Sequence, residues 1–146
     1  MRVFASLVAV VWLVGADAPA DAVKKDMALL DGEWAMVSGE LDGRALPEAF
    51  VKSGKRIAKD GESTVTFGDM LFMKAKLTID PSKKPKTIDY AVNDGPTKGK
   101  TVLGIYEVDG DTVKFCFAAP DKDRPTDFTA KEGSGRTLSV WKRKKE

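Results

Sequence analysis

Between Trp34 and Arg143 the chain is written in short runs of alternating apolar and polar residues, and most of these runs stop at an Asp-Gly pair. Such pairs stand at 31–32, 42–43, 60–61, 94–95 and 109–110, with Gly68-Asp69 and Gly133-Ser134-Gly135 besides. Alternation with a period of two marks a strand with one dry and one wet face. Asp-Gly between such runs marks a tight hairpin, because glycine takes positive φ without steric cost. In the run 71–79, Leu71, Met73, Ala75, Leu77 and Ile79 share one face, while Lys74, Lys76 and Thr78 share the other. The same test predicts strands near 33–41, 55–59, 62–67, 70–80, 86–93 and 136–143. A further hairpin over 101–118 turns at Asp109-Gly110, which would pair Tyr106 with Val113 and leave Gly104 making room for Phe115. One helix is predicted, from Pro47 to Ser53, with proline at its first position and Gly54 as its stop.

Eight strands joined by short turns, with a helix after the first, predict an all-β fold: an antiparallel up-and-down barrel. An open sandwich is the alternative. The apolar faces place Tyr90, Tyr106, Phe115 and Phe117 inside, along with Phe67, Met73, Leu77 and Ile79. An interior of such bulk implies a filled or narrow cavity, since eight strands enclose room only for side chains or one small ligand.

The N-terminus changes the picture of location. Met1 and Arg2 precede an apolar run, Val3 to Gly15, and then small residues, the three-part form of a secretory signal peptide. The run is too short to span a bilayer. Cleavage is expected after Ala22, with Ala16 as the other choice, leaving residues 23–146 as a single exported domain of the periplasm, envelope or exterior, without a membrane span. Removing Arg2, Asp17 and Asp21 leaves 23 basic and 20 acidic side chains over 124 residues, a net charge of +3. That balance argues against nucleic-acid binding. The single cysteine, Cys116, allows no internal disulfide, so packing alone must hold the domain. The chain has no histidine, which removes Ser-His and Cys-His nucleophile pairs and histidine-containing zinc sites.

Few motifs survive inspection. The string DGPTKGKT, 94–101, ends like a phosphate-binding loop, but only three residues separate Gly95 from Gly99, and the β-branched run that follows starts a strand instead of a helix. Nucleotide is therefore not expected. Asp109-Gly110-Asp111 lacks the other ligands of a calcium loop, and no metal or cofactor is expected. The lysines at 83, 84 and 86 and those at 98 and 100 lie on connections at opposite ends of one strand, so they form no single patch. In the long connection before the last strand, Arg124 and Asp127 flank a proline. They read either as an ion pair fixing a loop over the barrel end, or with Arg124 as a mouth residue that grips a ligand carboxylate. Asp89 and Tyr106 are a further polar group beside the aromatic lining. No spacing singles out a catalytic pair of carboxylates, so no enzymatic activity is expected.

The opening LDGEW, Leu30 to Trp34, resembles the Gly-x-Trp that begins the first strand of lipocalins. That resemblance implies that Trp34 closes the barrel floor, with Arg143 of the final run TLSVWKR packed over its ring. More specifically, LDGEWAMVSGELDGRALP, DPSKKPKTIDY, DGPTKGKTVLGIYEVDGD, KDRPTDF and GSGRTLSVWKR resemble an uncharacterised lipocalin-like domain family of planctomycete bacteria. The resemblance implies an exported lipocalin-like barrel and carries over no catalytic residues, since the family is defined by sequence and not by an activity. The absence of a disulfide pair and the short chain set it apart from lipocalins with a large open cup. The function expected is binding of a small apolar or amphipathic ligand by a monomer, through Tyr90, Tyr106, Phe115, Phe117, Arg124 and Asp127. The alternative is an envelope interaction module whose outer face binds protein or polysaccharide, for which Phe72 or Trp141 would be exposed.

Overall fold

A computed structural model describes residues 19–145, so most of the expected signal peptide lies outside the described residues. The described chain runs α1 (Ala20–Leu30), β1 (Gly32–Leu41), β2 (Arg44–Ala45), α2 (Glu48–Ser53), β3 (Gly54–Lys59), β4 (Glu62–Phe67), β5 (Met70–Asp80), β6 (Lys86–Asp94), β7 (Thr101–Asp109), β8 (Thr112–Phe117) and β9 (Thr137–Arg143). From β3 to β9 each strand pairs antiparallel with the next. β1 joins β3 on one side and β9 on the other, which closes an eight-stranded up-and-down barrel of the lipocalin-like kind; β2 is a short flap on β1.

The Asp-Gly turns form as their chemistry dictates. Asp42 and Gly43, and likewise Asp60 and Gly61, all have positive φ, the pattern of a type I′ hairpin turn whose twist matches that of the strands. They are closed by Leu41 opposite Arg44 and by Lys59 opposite Glu62. The 101–118 hairpin departs from expectation by two residues in register. Asp109 pairs with Thr112, so Gly110-Asp111 is the turn, Tyr106 faces Phe115 and Gly104 faces Phe117. The reason is local: Gly110 alone has positive φ, and a turn with glycine at its first central position draws Asp109 into the strand. A slip of two leaves every side chain on its expected face. The space at Gly104 is filled by the Phe117 ring, not by that of Phe115. In β5, a bulge opposite Val65 and Thr66 breaks the alternation, so Leu71 drops out of the inward set while Met73, Ala75, Leu77 and Ile79 stay buried.

The two ends of the barrel differ. At the floor lies α1, which was not expected because its first turn coincides with the presumed cleavage region. Its apolar positions nevertheless follow helical spacing: Val23, Met27 and Leu30 pack on the core. A cut after Ala22 would remove the first turn of this helix. Beside α1, Trp34 is 1% exposed, and its indole N–H donates to the Leu30 carbonyl at 2.9 Å. The Arg143 guanidinium stands 4.3 Å over the Trp34 ring and donates to the carbonyls of Asp31 (2.6 Å) and Leu29 (2.5 Å), the arrangement implied by the lipocalin resemblance. At the opposite end, the mouth, α2 lies beside β1 and β4, and the 94–101 connection forms a solvated turn whose Lys98 and Lys100 are exposed.

Outside the barrel, residues 118–136 lie across β7 and β8 and bury a second small core of Ile105, Cys116, Ala118, Pro125 and Ala130. Burial there pushes the Cys116 thiol above its ordinary pKa, so it is held as an unreactive thiol.

The floor seal has a measurable weight. Trp34→Ala removes a fully buried indole and should destabilise by about 3–5 kcal/mol in equilibrium denaturation. A loss below about 1 kcal/mol would show that the ring does not close the barrel.

Candidate functional site

The interior residue that most needs explaining is one that alternation alone would not single out. In β3, Gly54, Arg56 and Ala58 point inward, while Lys55, Ile57 and Lys59 point to solvent. Arg56 is thereby drawn into the barrel and is only 5% exposed. Its guanidinium lies 4.2 Å from the centre of the Phe115 ring, 5.0 Å from Trp141 and 5.7 Å from Tyr90. Its Nη1 donates to Ser63 Oγ at 3.0 Å and to the Tyr90 hydroxyl, and its Nε has no acceptor. Among the described residues, none of the ion pairs includes it.

A buried charge ordinarily finds a counter-charge, because desolvating it alone is expensive. Three aromatic faces supply part of the compensation, each contact being worth about 0.5–2 kcal/mol. They supply no anion. The centre of the barrel is therefore an electropositive spot walled by aromatic rings.

Four of the expected lining residues do converge inside. Tyr90 stacks on Phe117 with centroids 4.5 Å apart, and Phe115 on Phe117 at 5.6 Å. Phe117 ends β8 two residues mouthward of Phe115, so it covers the Arg56 site from that side. Tyr106 belongs to the floor. Its hydroxyl donates to Asp26 Oδ2 of α1 at 2.7 Å, and the same oxygen accepts from Lys86 Nζ at 2.9 Å. Burial, and then the Asp26 carboxylate, raise the Tyr106 phenol far above its ordinary pKa.

Three expectations are corrected. Arg124 is not at the mouth: it lies on the outer wall, where Nη1 donates to the carbonyls of Ile88 (3.2 Å) and Gly104 (2.8 Å) and Nη2 sits 2.6 Å from Asp89. Asp89 is thus turned away from the aromatic lining. Asp127 does not pair with Arg124 either; it accepts from Thr129 Oγ1 at 2.5 Å and from Arg136 at 3.2 Å. The Thr129 hydrogen bond first, and the Arg136 charge with it, hold the Asp127 carboxyl below its usual range. Arg124 fastens the 118–136 segment to the barrel wall through partners distant in sequence, whereas Asp127 braces the segment internally through Thr129 and Arg136. Trp141 is 2% exposed and faces the interior, whereas Phe72 is 49% exposed.

The mouth is apolar on the side formed by α2, β4 and β5. Phe67, at the end of β4, packs edge-on against Phe50 of α2 and against Phe72, each with centroids 5.6 Å apart. Phe50, Met70 and Phe72 are all more than 40% exposed there. A separate groove of about 810 Å³ runs along the outer wall between the 80–86 turn and Arg124, Pro125 and Thr126. Comparison with protein-family models, with curated proteins and with solved structures returned no match. Among the described residues there is no cluster of potential metal ligands, and no helix is long and apolar enough to cross a membrane.

Arg56, Ser63 and Asp26 escape a pattern search because it ranks apolar residues as interior. The one local sign of Arg56 is that it sits between two small residues, Gly54 and Ala58, on the same face.

The floor contact carries a pH signature. Because the folded phenol of Tyr106 keeps its proton above the unfolded value of about 10, its contribution to stability is complete below that pH and shrinks as pH rises through it. Tyr106→Phe should cost about 1–3 kcal/mol at pH 7, where Asp26 loses a donor. The gap between wild type and variant should narrow above pH 10 in urea titrations; a gap that stays constant from pH 7 to 11 would remove Tyr106 from the seal.

Proposed function

We propose that this protein binds a small apolar or amphipathic molecule, admitted at the α2 end of the barrel and held among the interior aromatic side chains, without altering it chemically. The observation that carries this reading is the contrast between the two ends. The floor is sealed by α1, Trp34 and Arg143, whereas the mouth presents exposed Phe50, Met70 and Phe72 around Phe67. Aromatic groups left in water on a small monomeric domain mark a surface that something apolar covers. A barrel of eight strands has room for a single small ligand at most, which suits a slender molecule better than a bulky one. The chain's lack of histidine supports binding over catalysis. The leader-like N-terminus supports action outside the cytoplasm, in the periplasm, the envelope or beyond the cell.

A second reading has its own support. The outer-wall groove, with Lys83, Lys84 and Arg124 along it, suits an extended polar partner such as a polysaccharide or a protein strand.

Titration with dodecan-1-ol tests the first reading, because Trp141 lies inside and its emission reports on occupancy. One equivalent should bind. Phe67→Asp should weaken binding at least tenfold, about 1.4 kcal/mol, while Lys84→Glu on the outer wall leaves it unchanged. Native mass spectra holding only the bare protein, and unchanged emission across alkanols, alkanes and fatty acids, would contradict the proposal.

A further inference from the structure

The interior cation narrows the ligand class. Both hydrogen bonds from Arg56 leave through Nη1, to Ser63 and Tyr90. The other edge of the guanidinium, Nε and Nη2, has no acceptor among the described residues, and Nε is fully buried. That edge is the side-on pair of donors that grips a carboxylate with two parallel hydrogen bonds. Ser63 and Tyr90 fix the plane of the fork, and the Phe115 and Trp141 faces hold it in place. The site thus has charge, orientation and two idle donors, but no anion.

Position along the barrel sets the rest of the ligand. Arg56 lies two residues from Gly54 at the mouth, about 7 Å at the usual rise of a strand. A head group at Arg56 would therefore carry only the first few carbons of a chain inside, and the remainder would emerge among Phe50, Phe67 and Phe72. Phe117, half-buried on the mouth side, would have to turn off Tyr90 to admit it.

We infer that Arg56, with Ser63 and Tyr90, forms a carboxylate subsite, and that the ligand is a single-chain amphiphile bearing one carboxylate, its tail covering the aromatic rim. This rests on the reading of the barrel as a ligand-binding site, and goes beyond it by fixing the charge and polarity of what is bound.

The test compares dodecanoate, dodecan-1-ol and dodecyltrimethylammonium on the full chain by calorimetry and native mass spectrometry. Dodecanoate should bind at least tenfold more tightly than the alcohol, and the ammonium most weakly. Arg56→Met should bring the dodecanoate-to-alcohol affinity ratio to about one. Arg56→Lys, which keeps the charge but loses the fork, should give an intermediate ratio. Should Arg56→Met fail to fold, Arg56→Gln, which keeps a donor and loses the charge, reads the same ratio. Equal binding of acid and alcohol by the wild type would overturn the carboxylate subsite while leaving the binding reading intact. A tenfold preference that persists without the arginine would overturn it too. Binding of none of the three would overturn both.

Discussion

Trp34 sits in register with two arginines, Arg143 on the strand that closes the barrel and Arg56 on the strand at its other side. The two guanidiniums have opposite surroundings. Arg143 rests on the indole, donates to the Leu29 and Asp31 carbonyls and lies 3.7 Å from Asp111, so its charge and its donors are answered. Arg56 lies deeper, in aromatic surroundings, with a donor unanswered. The first arrangement makes a seal. The second makes a site, because a cation that the fold leaves uncompensated can gain from a ligand what it lacks from the protein.

The remainder of the architecture keeps one end shut and leaves an apolar edge at the other. α1 is tied across the floor by a carboxylate, Asp26, that reaches Tyr106 in β7 and Lys86 in β6, so a helix that packs Val23, Met27 and Leu30 on the core is held by polar contacts as well. On the outer wall, Arg124 and Asp89 bind the 118–136 segment over β6 and β7, shielding a face of the sheet that carries Ile105 and Cys116. These charged residues are occupied in holding the fold together. Arg56, the one buried cation among the described residues, bonds to Ser63 and Tyr90 but has no carboxylate beside it to answer its charge.

The barrel was legible in the sequence because its turns are specified locally. Asp42-Gly43 and Asp60-Gly61 dictate two-residue hairpins, and alternation between them assigns faces that tertiary packing preserves. Where two turn geometries compete, as at Asp109-Gly110-Asp111, the pattern fixes the face and leaves the register two residues adrift. Elements that depend on distant partners were not legible. Only the first three residues of α1 fall within the expected leader, yet the helix itself is not disclosed by the pattern, since nothing near it announces that Tyr106, some 80 residues on, will hold Asp26. Arg124 and Asp127 look like partners because they are close in sequence, yet the fold gives each a different one. Arg56 is hidden for a related reason: a pattern of apolar residues has no symbol for a charge that the strand's own alternation carries inside.

The most direct measurement of whether the interior is a binding site is the side-chain N–H resonance of Arg56 Nε, followed by NMR as dodecanoate is added. This resonance should shift and its exchange with water should slow at one equivalent, with companion shifts at Phe67 and Phe117 and none at Thr126. An unmoved Nε resonance, with the shifts gathered instead along Thr87, Arg124 and Thr126 on the outer wall, would contradict it.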